Sequence, residues 1–151
     1  MADKTIQLQI ITPEKVVFNE VVSQVTIPTT EGEITILPGH IALISSLASG
    51  DIVARVNSED VPMAVSGGFI EVQPTDGGES TTSVKILADF AEHVSDLSED
   101  AVAKARARAE ELKRMKDNNE VVDFEHYEAE LERSLTRVKI ADKWKNRKYR
   151  M

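Results

Sequence analysis

The sequence predicts an α+β fold: an N-terminal antiparallel β-sandwich followed by a C-terminal antiparallel two-helix hairpin. Three observations predict it. Over residues 1–90, apolar residues alternate with polar ones in short runs separated by turn residues. Over residues 97–143 the apolar period changes to three and four. The charge divides at the same place: residues 1–96 hold 4 Lys+Arg against 14 Asp+Glu, and residues 97–151 hold 14 against 12. A chain of 151 residues has room for one compact domain and a small appendage.

The β region begins with Ile6, Leu8 and Ile10 alternating with Gln7 and Gln9. Val21, Val25 and Ile27 are read as one face, with Gln24 and Thr26 on the other. Ile34 and Ile36 repeat the pattern, as do Val61, Met63 and Val65, and Val84 and Ile86 close the series. Turn chemistry separates the runs at Thr12-Pro13, Glu31-Gly32, Pro38-Gly39, Ser49-Gly50, Asn57 to Asp60, Gly67-Gly68 and Asp76-Gly77-Gly78. Many short strands with this punctuation predict a sandwich or flattened barrel.

In the helical part Ser98 is the expected N-cap, with Glu99 and Asp100 placed to complement the helix dipole. Val102, Ala105, Ala109, Leu112 and Met115 make the first stripe. Asp117-Asn118-Asn119 ends that helix, and Asp123 caps a second whose stripe is Phe124, Tyr127, Leu131, Leu135 and Val138. The short connection predicts an αα-hairpin. The first stripe is rich in Ala, which buries little area, so the pair calls for a further surface to pack on. A hairpin that detaches and one that stays docked both remain open at this point. From 144 to 151 the chain is a basic tail; Lys139 to Arg150 holds six basic residues and one Asp.

The chain has no Cys, which excludes disulfides, thiolate metal sites and cysteine nucleophiles. His40, His93 and His126 have no metal-ligand spacing, and no catalytic constellation, cofactor motif or metal site emerges. Gly67-Gly68 and Gly77-Gly78 lead into no helix and no Gly-Lys-Ser/Thr element, so neither reads as a phosphate loop. No run approaches the ~18 apolar residues of a membrane span, and the N-terminus lacks the apolar run of a signal peptide. The basic end interleaves Trp144 and Tyr149 with Lys and Arg, a composition suited to nucleic acid, but the strongly acidic body argues against that partner.

Four stretches carry a family resemblance. Val25 to Leu47 (VTIPTTEGEITILPGHIALISSL), Ser66 to Val72 (SGGFIEV), Val84 to Glu92 (VKILADFAE) and Ala129 to Val138 (AELERSLTRV) stand in an order and spacing that resembles the epsilon-subunit family of bacterial F-type ATP synthases. The resemblance implies a non-catalytic central-stalk, or rotor, subunit on the cytoplasmic face of the bacterial inner membrane, peripheral to that membrane. Its β-sandwich, residues 1–90, would bind the gamma subunit and the c-ring. Glu33, with Glu31 and Gly32 adjacent, would lie at the c-ring contact, and His40 near gamma. The hairpin, residues 97–143, would be the regulatory part, meeting the alpha and beta subunits when extended; Arg133, Arg137 and Lys139 would be its contacts. Some relatives bind ATP on the hairpin through an Asp and an Arg; the matching positions here are Ser98 and Ala101, so ATP binding is not carried over. The rival reading is a free-standing β-sandwich adaptor whose hairpin binds another protein or a nucleic acid; copurification with gamma separates the two.

Overall fold

The computed structural model describes residues 4–75, 81–120 and 123–148. The chain divides between His93 and Val94 into two compact units. The first is all strand: β1 (Ile6–Ile11), β2 (Val16–Val22), β3 (Gln24–Thr29), β4 (Gly32–Ile36), β5 (Leu43–Ser46), β6 (Gly50–Val56), β7 (Glu59–Pro74) and β8 (Thr82–His93). After a 3-10 turn at Val94–Asp96 come α1 (Glu99–Asp117) and α2 (Phe124–Lys148).

The strands hydrogen-bond in the order β2-β1-β8-β7-β6-β3-β4, with β5 paired to β7. The expectation of short strands fails for β7 and β8, which run 16 and 12 residues and contribute to both layers of the sandwich. The first half of β7 pairs with β6 and its second half with β5. Only the first half of β8, Thr82 to Leu87, pairs with β1, and that pair is parallel in an otherwise antiparallel fold. One layer is therefore β2-β1-β8-β7-β5 and the other is the end of β8, the start of β7, β6, β3 and β4.

Glycine makes the crossover possible. Gly68 has φ +123°, and a Cβ there would stand 1.9 Å from the Leu87 carbonyl oxygen, so no other residue fits. Alternation then decides which side chains go inside: Ile6, Leu8, Ile10, Ile70, Val84 and Ile86 are all fully buried between the layers. Val21 breaks the predicted face. It belongs to β2, is 41% exposed, and leaves the core position to Val22. Ser23 separates β2 from β3 and resets the phase.

In the second unit Ser98 caps α1 by accepting the Ala101 N–H at 3.1 Å, and Asp123 caps α2 by accepting the His126 N–H at 3.2 Å. Asn118 closes α1 and Asn119 takes φ 56°. Ala105, Ala109 and Leu112 are buried as the first stripe requires. The second stripe is different: Phe124 and Leu135 are exposed, while Tyr127, Ser134, Thr136 and Ile140 are buried. Two boundaries also shift. β8 extends the sandwich to His93 rather than 90, and α2 runs to Lys148, so 144–148 of the expected tail is helical. The Asp76-Gly77-Gly78 turn and residues 149–151 lie outside the described residues.

Across the helix pair Arg108 donates to both carboxylate oxygens of Glu130, at 2.6 and 3.2 Å, and also meets Glu111 at 3.0 Å. The guanidinium hydrogen bond holds the Glu130 carboxyl below the usual range, and the same bond raises Arg108 above its ordinary value. Arg106–Asp142 at 3.3 Å and Lys145–Glu99 at 3.5 Å lie on the other flank of the Ala105–Ala109 stripe, so ion pairs border a seam poor in apolar area on both sides.

Candidate functional site

Glu31, Gly32 and Glu33 sit at the tip of the β3–β4 hairpin and all three are exposed. The chain reverses through Thr30 and Glu31, between the paired residues Thr29 and Gly32, with Gly32 at φ 122°. Buried Thr29 fixes the tip: its hydroxyl donates to the Gly32 carbonyl and accepts the Glu31 N–H. The Thr30 N–H donates to the Ser46 carbonyl at 3.3 Å, which joins the tip to the end of β5.

His40 ends the turn Leu37-Pro38-Gly39-His40. Its N–H donates to the Leu37 carbonyl at 3.1 Å, and Gly39 has φ 90°. Pro at the second and Gly at the third position suit a type II turn. The Gly39 N–H donates to the hydroxyl of fully buried Thr82 at 2.7 Å, anchoring the loop to the start of β8. The imidazole Nδ1 lies 2.7 Å from the Ile41 carbonyl and must donate to it, because a carbonyl only accepts. The structure thus places His40 before one end of β5 and the Glu31–Glu33 turn beside the other, with roughly 13 Å of strand between them.

The outer face between these features carries one mostly apolar row and one mostly polar row. Register aligns Val16, Ile11, Leu87, Phe69 and Ser46 across β2, β1, β8, β7 and β5. The next row on the same face holds Gln9, Lys85, Glu71 and Ile44. Val16 is 53% exposed, Leu87 55%, Phe69 61% and Ile44 78%. Leu37 and Ile41, in the His40 loop, are also exposed. Clustered apolar side chains on an outer sheet face mark an interaction surface, whereas isolated ones do not. Sequence reading missed these residues. Phe69 and Leu87 were visible as apolar residues in the outward phase of strands whose inward phase is Ile70, Val72, Ile86 and Ala88.

Arg133, Arg137 and Lys139 all lie on α2, in the other unit. Arg133 and Arg137 are one turn apart and share a helix face, while Lys139 points to a different side, so the three do not form one patch. Ser98 and Ala101 are tied together as cap and first-turn donor. Among the described residues, no group of three or more His, Cys, Asp and Glu could hold a metal ion. No helix among them is long and apolar enough to cross a membrane.

A two-layer sandwich with an exposed apolar row on its outer face, followed by a helix pair, defines a binding module, and comparison with known proteins gives the class. Residues 5–94 match the family described as ATP synthase, Delta/Epsilon chain, beta-sandwich domain. An ATP synthase epsilon chain from Nitratidesulfovibrio vulgaris is 38% identical over 91% of this chain and 96% of its own length. One from Herpetosiphon aurantiacus is 37% identical over 94% and 98%. A chain of the Euglena gracilis mitochondrial ATP synthase, solved as an OSCP/F1/c-ring assembly, superposes with a TM-score of 0.60 at 21% identity, covering 97% of this chain and 82% of that one. This chain belongs to the ATP synthase epsilon chain family, and is a non-catalytic rotor subunit of an F-type ATP synthase.

Proposed function

We propose that the β-sandwich is the fixed part of the subunit, joining gamma through its outer apolar face and the c-ring through the Glu31-Gly32-Glu33 tip. The observation that carries this is the exposed row of Val16, Leu87 and Phe69 with Ile44 beside it, bounded by the His40 loop at one end of β5 and the acidic tip at the other. Clustered exposed apolar side chains on an outer sheet face suit a protein partner. Charged Glu31 and Glu33 on a rigid turn suit polar loops. His40 borders the gamma contact. The subunit would sit on the cytoplasmic face of the bacterial inner membrane, peripheral to it through the complex, and would transmit ring rotation to catalytic sites on other chains.

The helix pair is the regulatory part. It favours turnover when folded and suppresses ATP hydrolysis when extended toward the alpha and beta subunits. Its seam of Ala105 and Ala109 and its solvated ion pairs support an element whose two states differ by little free energy. Arg133 and Arg137 form one basic contact toward acidic segments of the beta subunits, with Lys139 and Lys143 on another side of α2.

Copurification with gamma tests the reading. The full chain is expected to co-elute with gamma, and a chain lacking residues 97–151 is expected to do so as well. A folded truncated chain that elutes apart from gamma would show that the sandwich is not the docking part.

A further inference from the structure

Beyond Leu87, β8 loses its neighbour β1 and becomes an edge of the second layer, held on one side by β7 through Ala88 to His93. An edge strand paired on one side only is the part of a sheet that peels most readily. It is also the strand from which the chain leaves the sandwich, since the second unit begins at Val94.

The side chain at the strand's last residue resists that peeling. His93, the last residue of β8, places Nε2 3.1 Å from the carbonyl of Val17 in β2, the edge strand of the other layer. A carbonyl accepts only, so Nε2 carries the proton whatever the charge of the ring. The ring also lies against buried Phe18, with centroids 6.1 Å apart. Backbone pairing between His93 and Met63 fixes the other side. His93 therefore ties the two edges of the sandwich together at the residue where the strand ends.

We propose that His93 is the positioning residue of the pivot: it sets the last fixed point of the sandwich and so the point about which the helical unit turns. This rests on the reading of that unit as the moving part. Without the clasp, the 90–93 end of β8 frays, and the effective pivot retreats toward Ala88. The helical unit then hangs on a longer tether, and its regulatory contacts form at a lower effective concentration.

Two variants separate the hydrogen bond from the packing. His93→Phe keeps a ring against Phe18 and removes the donor, whereas His93→Gln keeps an N–H at comparable reach. Amide hydrogen exchange on the full chain is expected to rise roughly three- to tenfold over residues 90–93 and 63–66 in His93→Phe. Residues 84–86 are expected to keep wild-type rates, and His93→Gln is expected to restore them throughout. In the assembled complex, ATP hydrolysis by His93→Phe is expected to shift toward that of a complex lacking residues 97–151, with gamma retained. Wild-type exchange over 90–93 in His93→Phe overturns the clasp. Raised exchange with unchanged hydrolysis overturns the pivot, provided that deletion of 97–151 does alter hydrolysis. If the deletion itself has no effect, the regulatory reading fails and the pivot fails with it.

Discussion

Replacing Phe69 by Ala should weaken gamma binding far more than it weakens the fold. A Phe side chain carries roughly 150–250 Å², and Phe69 is 61% exposed in the chain alone. About 120 Å² is therefore available to a partner, worth ~3 kcal/mol at ~25 cal/mol per Å² if fully covered. Ala recovers part of that, which leaves a loss of about 2 kcal/mol, or roughly 30-fold in Kd. The folding cost should stay near 1 kcal/mol or less, because most of the ring already faces solvent. Leu87 lies directly opposite Phe69 across β7 and β8, so Leu87→Ala should act in the same direction and couple with it. The assay is calorimetric titration of the full chain with gamma, with urea unfolding of each variant as the check on folding. Glu59→Ala, at the β6–β7 turn, serves as the control. Binding by Phe69→Ala within twofold of wild type would remove the outer face from the gamma contact.

Three further outcomes follow from particular residues. Glu33→Arg should leave stability within about 0.5 kcal/mol, because the side chain is exposed, yet should reduce proton pumping in reconstituted membranes; equal pumping by mutant and wild type would exclude the tip as the ring contact. Gly68→Ala should prevent folding or cost more than ~3 kcal/mol in urea unfolding, since its Cβ would meet the Leu87 carbonyl at 1.9 Å. The Arg108–Glu130 pair lowers the Glu130 pKa, so its stabilisation is present above the ordinary value of 4.5 and is lost as pH falls through the lower folded value. Both side chains are about a third exposed or more, which limits the effect to roughly 0.5–1 kcal/mol; Glu130→Gln should lower helix-pair stability by that amount at pH 7 and converge with wild type in acid, as circular dichroism would register.

Much of this fold is legible in the alternation of residues 6–10, 25–27 and 84–86, because a half-buried strand has period two and its inward phase becomes the core. Where alternation misled, the cause is local. Counting by twos from Val21 to Val25 runs through Ser23, where one strand ends and the next begins, so the phase slips by one residue. On α2, Leu135 lies about 80° around the helix from Tyr127, whereas Ser134 lies only about 20° away. The position nearest the buried face is thus held by a residue without hydropathy signal. Thr136 and Ile140 are buried nearly opposite Tyr127, so the buried positions of α2 do not fall in the single stripe that a period of three and four picks out.

The site was less legible than the core. Turn chemistry locates the Glu31-Gly32 and Pro38-Gly39-His40 features, but their roles come from family resemblance, not from spacing. Only the β5–β7 pairing and the Thr30–Ser46 and Gly39–Thr82 hydrogen bonds place them about one outer face. Val16, Leu87 and Phe69 are far apart in sequence, and the register that lines them up depends on β7 and β8 passing through both layers. Gly68 announces a special backbone position in sequence, yet the atom that requires it, the Leu87 carbonyl oxygen, belongs to another strand.

In the proposed function the sandwich stays fixed while the helix pair moves, and one distance measurement tests that division directly. Spin or fluorescent labels at Glu59, the first residue of β7, and Glu132, on the exposed side of α2, report the distance between the sandwich and α2 in the assembled complex. At least two distance populations are expected, with a ratio that changes between ATP-rich conditions and conditions without nucleotide. A single distance that stays the same in both would contradict it.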